Sequence, residues 1–331
     1  MQYRDIGGAD KLTVSAIGMG GRRLSDAYTE TKDDETKAQA VVDRAIDMGL
    51  TLIDTADVYG ATANETLFGK LLKGKRDKVV LSSKFGFITK PDGNRGVSGH
   101  PDYAIEACEK SLQRLQTDCL DLYYLHRVDP DVPIEDTVGA MTRLKEQGKI
   151  LHIGLSEAGP ETLKRASKIH PITALQSEYS LWVRDYEADT LPACHDLGIG
   201  FVAYYPLGMG FFAGAIRELD SLGPKDGRRR NPRFQDENIT QNHTLLLQLK
   251  DIADELGCKL GQLALAWILA RGGDYIAIPG TSQIAHLEDN IRAADISLND
   301  ETMNRIDAIF PCDGVVSGDR IAGDRLAELN R

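Results

Sequence analysis

The chain has 331 residues, and its 39 Lys plus Arg against 50 Asp plus Glu give a formal net charge of −11. An acidic chain without a basic tract is poorly suited to bind nucleic acid or an anionic membrane, so we expect neither partner. The length suits one large α/β barrel or two medium domains.

Short β-branched or aromatic runs alternate with amphipathic helical stretches from one end of the chain to the other. A hairpin-like segment over residues 2–14 comes first. Eight strand candidates follow it, at residues 16–18, 51–53, 79–82, 120–125, 150–155, 173–175, 200–204 and 275–278. Apolar residues recur at helical spacing between them, most clearly at residues 38–46, 104–115 and 245–256.

Strand and helix alternating about eight times predicts an all-parallel sheet with helical crossovers. An open doubly wound sheet would also accommodate this pattern. The count of eight, and the absence of a Pro/Ser-rich linker, favour a closed (β/α)8 TIM barrel with an N-terminal β-hairpin, forming a single domain over residues 1–331. Irregular stretches at 85–100 and 207–242 each follow a strand, where a barrel places its long active-site loops, and a third begins at 311.

Cysteine and histidine usage indicates the compartment and argues against a metal. The five cysteines are scattered without a Cys-x-x-Cys, and the seven histidines form no metal-binding pair. This predicts reduced thiols and no metal site. No apolar stretch is long enough to span a bilayer, and residues 1–4 do not begin a signal peptide, so we expect a cytoplasmic protein.

Ionisable side chains stand at three adjacent strand ends. Asp54 ends the second predicted strand and Tyr59 follows in the next loop, while Lys84 ends the third strand and His126 the fourth. Singly, each has a commoner structural explanation, such as a turn cap, a surface lysine or a core histidine. Because the carboxyl ends of parallel strands meet on one face of a barrel, the four together favour a catalytic cleft.

The chemistry of these four groups is coherent. An ammonium beside a phenol favours the phenolate, and a carboxylate fixes the ammonium in place. We therefore interpret Tyr59 as a general acid, Lys84 as the group that tunes it, and Asp54 as its anchor. His126 would orient or polarise a carbonyl oxygen. Carbonyl reduction needs a hydride, and hence a nicotinamide.

The nicotinamide site must be sought outside a Rossmann fingerprint, because Gly18-x-Gly20-x-x-Arg23 lacks its third glycine. Residues 207–211 contain two glycines that would let backbone approach a pyrophosphate, although a flexible hinge explains them equally well. Residues 278–283 lead into a predicted helix at about 286–294, whose N-terminus attracts phosphate. Tyr204, at the end of the seventh strand, could stack on nicotinamide, although packing is the commoner role.

These segments together resemble the aldo-keto reductase superfamily from Gly18 to the C-terminal tail. The loop that ends Asn231-Pro232-Arg233-Phe234 is most similar to the plant- and bacterial-type members. The motifs that carry the resemblance are residues 54–60, 83–85, 121–129, 154–158, 176–180, 203–208 and 278–290.

The resemblance implies an NAD(P)H-dependent enzyme that reduces an aldehyde or ketone to an alcohol, or runs the reverse reaction. It implies that Asp54, Tyr59, Lys84 and His126 form a catalytic tetrad. The implied cofactor contacts are Ser156 and Gln176 at the carboxamide, Glu157 where many members have Asn, Tyr204 on the nicotinamide ring, Asp289 and Asn290 near the adenine, and also Gly20, Gly21, Asp54, Tyr205, Pro206, Leu207, Gly208, Gly210, Gly280, Thr281, Ser282, Gln283 and His286.

The sequence departs from the family pattern at three places. Tyr205 replaces a usual Ser, and Met209 stands where related members often carry Arg. Residues 282–286 present no Lys or Arg where members commonly offer one to the 2′-phosphate of NADP. We therefore expect NADP(H) to bind with weak discrimination over NAD(H).

Two other function classes fit parts of the pattern. Channel β-subunits of the same family use this barrel as a docking module, so a nicotinamide-binding regulatory or docking subunit is the main alternative, and the intact tetrad argues against it. A metal-dependent hydrolase is disfavoured because no clustered ligand set stands at strand ends. We expect a small-molecule carbonyl or alcohol substrate in a pocket lined by the tail and by Arg22, Arg23, Tyr28, Phe85, Phe87 and Trp182.

Overall fold

The computed structural model describes residues 1–25, 35–90, 92–214, 216, 218–312, 314–321 and 329–330. Within them lie the strands β1 Tyr3–Ile6, β2 Leu12–Ser15, β3 Met19–Gly20, β4 Leu52–Asp54, β5 Val80–Phe85, β6 Phe87–Thr89, β7 Arg95–Val97, β8 Leu120–Leu125, β9 Ile150–Ser156, β10 Ala174–Glu178, β11 Gly200–Tyr204 and β12 Tyr275–Ala277. The helices are α1 Glu35–Asp47, α2 Ala63–Leu71, α3 Pro101–Leu115, α4 Ile134–Glu146, α5 Pro160–Ser167, α6 Thr190–Leu197, α7 Asp236–Glu255, α8 Leu260–Ala270, α9 Ile284–Arg292 and α10 Asp300–Ile309.

Eight strands form one parallel sheet in the order β3-β4-β5-β8-β9-β10-β11-β12. The first strand region also pairs with the last, since Ile17 bridges Ala277 in parallel and the Gly18 amide donates to the Ala277 carbonyl at 2.9 Å. The amide of Gly20 donates to the carbonyl of Pro279 at 3.3 Å. The sheet therefore closes on itself, which confirms the predicted (β/α)8 barrel over the open doubly wound alternative.

The N-terminal hairpin seals one end of the barrel. Strands β1 and β2 pair antiparallel with Tyr3 opposite Ser15, as predicted. Ile6 lies so close to Gly200 that a Cβ there would sit 2.3 Å from the isoleucine side chain. The Arg4 guanidinium donates to the carbonyls of Leu269, Gly272 and Tyr275 at 2.6–2.8 Å. Because the hairpin covers the amino ends of β11 and β12, the carboxyl ends remain for a functional site.

Two apolar cores hold the barrel. A small inner core fills the barrel and includes Val14, Leu122 and Val202. A larger outer core lies between the strands and the helices. Successive residues of a strand face these two cores in turn, so both faces of each strand are buried. This explains why the strands appear in the sequence as continuous apolar runs. No helix among the described residues is long and apolar enough to cross a membrane.

Two irregular stretches contain more structure than the sequence predicted. Strands β6 and β7 pair as an antiparallel hairpin within 85–100, and α7 begins at Asp236, inside the stretch that was expected to be irregular to 242. The hairpin turns at Gly93, whose φ is +82°, and the Asn94 amide donates to Asp92 Oδ1 at 2.9 Å. Its strands have three residues each, too short to show an alternating pattern.

Candidate active site

The four predicted catalytic side chains meet at the carboxyl ends of three neighbouring strands. Asp54 is the last residue of β4, Lys84 lies near the end of β5, and His126 directly follows β8. The register pairs Asp54 with Ser82 in the adjacent strand, so Lys84 stands two residues further along β5 than the level at which β4 ends. Tyr59 follows β4 in a loop whose Asp57 amide donates to the Lys84 carbonyl at 3.1 Å.

Asp54 and Lys84 form a buried ion pair. Lys84 Nζ donates to Asp54 Oδ2 at 2.5 Å and to the carbonyl of Thr55 at 2.8 Å. Asp54 Oδ1 accepts from Ser82 Oγ and from Gln176 Nε2, both at 2.9 Å. The Lys84 side chain is 0% exposed. A buried charge is costly unless its hydrogen-bonding capacity is met, and here both partners are well supplied.

The ammonium of Lys84 is directed at Tyr59. Lys84 Nζ lies 3.4 Å from Tyr59 Oη and 5.1 Å from the centroid of the tyrosine ring. Burial by itself would lower the pKa of Lys84, but the Asp54 carboxylate and Tyr59 outweigh it and raise this pKa above that of an ordinary lysine. The site therefore favours the ammonium form of Lys84.

His126 completes the cluster and also contacts Tyr59. The two rings meet edge to face with centroids 5.9 Å apart, and Phe87 packs on His126 at 4.7 Å. The backbone amide of His126 donates to the Phe85 carbonyl at 2.7 Å, while its buried Nδ1 has no partner among the described residues. Burial, followed by the charges of Lys84 and Arg127, lowers the pKa of His126 well below its ordinary value. The imidazole is therefore neutral.

Several expected pocket residues lie where the sequence suggested, and others do not. Arg22 is near the phenol, with its guanidinium carbon 5.6 Å from the Tyr59 centroid. Phe85 is wholly buried and stacks on Tyr123 in the outer core, so its expected place in the pocket wall is wrong. Trp182 packs against Phe211 at 4.6 Å beneath the loop after β11. Tyr28 and most of the tail, residues 322–328, lie outside the described residues.

The ends of β9 and β10 carry the residues expected at a carboxamide. Gln176 reaches across the barrel to Asp54, as described above. Ser156 Oγ accepts from Arg127 Nη1 at 3.4 Å, and the same nitrogen donates to the His126 carbonyl at 2.7 Å. Sequence reasoning missed Arg127, although a cation directly after a strand-end histidine was the available signal.

Glu157 is engaged by protein donors at both carboxylate oxygens. Oε1 accepts from the Tyr204 hydroxyl and from Arg320 Nη2, both at 2.8 Å, and Oε2 accepts from the Tyr186 hydroxyl. The Glu157 backbone is left-handed, with φ +55°. Arg320 was missed because it stands in the tail, where no periodic pattern marks it.

The loop after β11, where the sequence predicted a phosphate site, turns tightly through left-handed residues. Gly208, Met209 and Gly210 have φ of +54°, +55° and +95° in succession. A Cβ on Gly208 would lie 2.7 Å from the Trp182 ring, so only glycine fits there. Arg228 Nη1 donates to the Met209 carbonyl at 3.0 Å. The amides of Gly208 and Gly210 donate to the carbonyls of Tyr205 and Leu207 at 2.8 and 2.9 Å, so the loop is a hydrogen-bonded tight turn. Tyr205, Pro206 and Leu207 lead into this loop.

A second candidate anion site lies where β3 meets the segment after β12. A Cβ on Gly280 would lie 3.0 Å from the Gly20 carbonyl, so the two backbones touch there. Helix α9 follows at Ile284, and its N-cap Gln283 makes no side-chain cap hydrogen bond. Such an end leaves backbone amides for an anion. Thr281 is buried, Ser282 is half-buried and His286 is exposed, while Asp289 pairs with Lys259 at 2.6 Å and Asn290 is buried.

Gly21 has a packing role as well as its predicted place near the cofactor. A Cβ there would lie 2.4 Å from the Phe68 ring and 2.7 Å from the Asp54 carbonyl. Any larger side chain would therefore displace the backbone that carries Asp54. Among the described residues no group of three or more His, Cys, Asp or Glu side chains is arranged to hold a metal ion.

Asp57, in the loop that carries Tyr59, is an unusual buried acid. Its Oδ1 has no hydrogen-bond partner within the described part of the chain. Burial, with a further contribution from Glu65, raises the pKa of Asp57 from 3.8 to about 7. Arg114 opposes the shift without overcoming it. Folding therefore favours the protonated form of this carboxyl group.

Comparison with known proteins gives consistent matches. The sequence profile of the Aldo/keto reductase family matches residues 16–310. A probable aldo-keto reductase of Glycine max is 42% identical over 312 residues, covering 94% of this chain and 90% of that relative. The glycerol dehydrogenase of Gluconobacter oxydans superposes with a TM-score of 0.84 at 25% identity, covering 95% of this chain and 97% of that one. An aldo-keto reductase from Klebsiella pneumoniae, solved in complex with NADPH, has a TM-score of 0.73 at 30% identity, covering 97% and 99%.

Asp57→Asn tests the buried acid. Because the folded-state pKa of Asp57 is raised to about 7, the stability that its proton provides is complete below about pH 4 and is lost as pH rises to about 7. The free energy of unfolding of the variant minus that of the wild type should therefore increase by about 2 kcal/mol from pH 5.5 to 7 and then level off. Urea unfolding at pH 5.5, 7 and 8.5 measures it. The exposed Asp196→Asn is the control, and a pH-independent difference for Asp57→Asn would refute the assignment.

Proposed function

The chain belongs to the aldo/keto reductase family, and from that membership we propose that Asp54, Tyr59, Lys84 and His126 are the catalytic groups of its NAD(P)H-dependent carbonyl reduction. The reaction converts an aldehyde or ketone to an alcohol, or runs in reverse. One observation carries the assignment: Lys84 Nζ lies between Asp54 Oδ2, at 2.5 Å, and Tyr59 Oη, at 3.4 Å. A surface or packing lysine would have no reason to be buried against a phenol.

The residues of the cleft fit a nicotinamide dinucleotide. Gln176 and Ser156 offer polar groups at the carboxamide end, and Tyr204 offers a half-buried ring at the end of β11. The tight turn at the left-handed Gly208 and Gly210 is where we place the pyrophosphate, since glycine lets backbone approach it closely. The chemistry that NADP(H) supplies when bound is a hydride for the carbonyl carbon. Every other requirement of the reaction falls to side chains of this chain.

Tyr59 would deliver the proton. As the carbonyl oxygen gains negative charge, the hydroxyl of Tyr59 gives its proton to that oxygen and becomes a phenolate. Lys84 stabilises the phenolate because its ammonium lies 3.4 Å from Tyr59 Oη, and Asp54 keeps the ammonium in place. In the oxidative direction the same phenolate accepts the proton of an alcohol.

His126 would orient the carbonyl. Since its low pKa keeps the imidazole neutral, the ring can donate one hydrogen bond to the substrate oxygen without bringing a positive charge next to Lys84. The edge-to-face contact of Phe87 with His126, with centroids 4.7 Å apart, holds the imidazole ring in place. A neutral donor beside Tyr59 aligns the oxygen for proton transfer.

Composition and cysteine chemistry support a proposal for the compartment and the partners of this protein. We propose a single barrel domain over residues 1–331, working in the cytoplasm on a small-molecule carbonyl or alcohol, without a nucleic-acid or membrane partner. The net charge of −11 and the lack of a basic tract support the absence of those partners. All five cysteines are unpaired, which suits a reducing compartment.

Tyr59→Phe should abolish most turnover. It removes the transferable proton while leaving the ring, so reduction of a generic aldehyde should fall by roughly 10²–10⁴-fold with NADPH affinity unchanged. Steady-state kinetics and fluorescence titration measure the two effects. Tyr3→Phe, on the exposed hairpin, is the control and should keep wild-type turnover. A Tyr59→Phe enzyme with near wild-type activity would exclude the assignment, and a wild type that binds NADPH without turnover would favour a regulatory subunit.

Cofactor preference should be weak. Ser282, Gln283 and His286 offer only neutral groups or an imidazole to a 2′-phosphate, and the charge of nearby Lys259 is compensated by Asp289. Without a charge-assisted bond, NADPH should bind less than a hundredfold more tightly than NADH, a gap of about 2.7 kcal/mol. Paired fluorescence titrations measure this ratio. A larger preference would be inconsistent with this view and would implicate Arg23, whose Cβ lies beside Gly280.

A further inference from the structure

An arginine from the C-terminal tail is buried at the carboxyl ends of β9 and β10. Arg320 is 6% exposed. Its Nε donates to Glu178 Oε2, its Nη2 to Glu157 Oε1 and its Nη1 to the Tyr186 hydroxyl, all at 2.8 Å. All three guanidinium nitrogens are thus directed at acceptors that stand 134–163 residues earlier in the chain. A tail that merely lay on the surface would not place its cation so deeply.

Glu157 connects Arg320 to Tyr204 through hydrogen bonds. The Tyr204 hydroxyl donates to the same oxygen, Glu157 Oε1, at 2.8 Å, and Arg320 Nη2 also lies 3.4 Å from that hydroxyl. The amide of Glu178 donates to Oε1 at 2.9 Å. A hydrogen bond at the far end of a tyrosine fixes the tilt of its whole ring. The orientation of Tyr204 therefore depends on Glu157, which is itself held by Arg320.

Buried charges of both signs surround Arg320. Glu157 and Glu178 place two carboxylates at these strand ends, and the guanidiniums of Arg127, Arg233 and Arg320 lie around them. Burial by itself would raise the pKa of Glu157, but Arg320 and then Arg127 lower it, so the carboxylate stays ionised. Without Arg320, Glu157 would lose the larger of the two cationic influences that keep it ionised, together with a direct hydrogen bond at 2.8 Å.

The tail is held at a second point beside the same residue. The amide of Asn330 donates to the Glu157 carbonyl at 3.3 Å. Asn330 Oδ1 accepts from the Gly159 amide at 3.0 Å and from Thr162 Oγ1 at 2.7 Å. Arg320 and Asn330 therefore fasten the tail to the side chain and to the backbone of Glu157.

We propose that Arg320 is a positioning residue that fixes the ring of Tyr204 through Glu157, so that docking of the C-terminal tail and binding of the nicotinamide end of the cofactor favour each other. The inference rests on the proposed function, in which Tyr204 is the platform for the nicotinamide ring. Coupling between two sites is reciprocal, so a docked tail tightens nicotinamide binding and a bound nicotinamide stabilises the docked tail.

Two probes separate this coupling from a general loss of structure. NADPH carries the nicotinamide, whereas 2′-phospho-ADP-ribose has the remainder of the molecule without it. Arg320→Gln should weaken NADPH binding at least about tenfold and 2′-phospho-ADP-ribose binding less than about threefold. Arg320→Lys should give an intermediate loss for NADPH alone, because one ammonium keeps the charge but cannot reproduce the planar fork of donors. Isothermal titration of each purified variant measures both constants.

Two further variants complete the test. Arg305→Gln breaks an exposed pair with Glu255 and should bind both probes like the wild type. Asn330→Ala leaves every buried charge in place and should again weaken NADPH selectively, so it tests the coupling even where Arg320→Gln does not fold. Equal losses for both probes, or no loss for either, in Arg320→Lys and Asn330→Ala would overturn the inference. A wild type that binds neither probe would instead refute the proposed function.

Discussion

The ion pair between Lys84 and Asp54 is the constraint around which the candidate site is organised. Neither charge reaches solvent, so the fold has to satisfy both from within. Ser82 and Gln176 supply donors to the aspartate, while the Thr55 carbonyl accepts from the lysine. These partners stand on β5, on β10 and directly after β4, so the pair requires correct closure of the barrel across its width. The catalytic geometry and the barrel are therefore stabilised together.

A second buried charge group lies beside the first and has a different purpose. Glu157, Glu178, Arg127 and Arg320 occupy the ends of β8 to β10 and the tail, and they surround the hydroxyl of Tyr204. Arg127 joins the two groups, because it also contacts the His126 carbonyl and Ser156. One group positions a proton donor, and the other positions the ring proposed to support the cofactor.

The sequence allowed the barrel and the convergence of Asp54, Tyr59, Lys84 and His126 to be predicted, because parallel strands all end on one face. Contacts between distant segments could not be predicted from the sequence. Arg320 stands in a tail without periodicity and meets Glu157 163 residues earlier. Glu157 was expected at the carboxamide by resemblance, whereas its carboxylate oxygens accept from tyrosines and Arg320. The hairpin of β6 and β7 was missed because three-residue strands leave no alternation to detect.

The most direct test of the central claim is a double-mutant cycle on aldehyde turnover with Asp54→Asn, Lys84→Met and the combined variant, with circular dichroism confirming that each is folded. If Asp54 acts only by holding the Lys84 ammonium against Tyr59, then replacing Asp54 should change turnover little in a variant that already lacks the ammonium. The combined variant should then turn over within about threefold of Lys84→Met alone. Losses that multiply would show that the two residues act independently and would contradict the account.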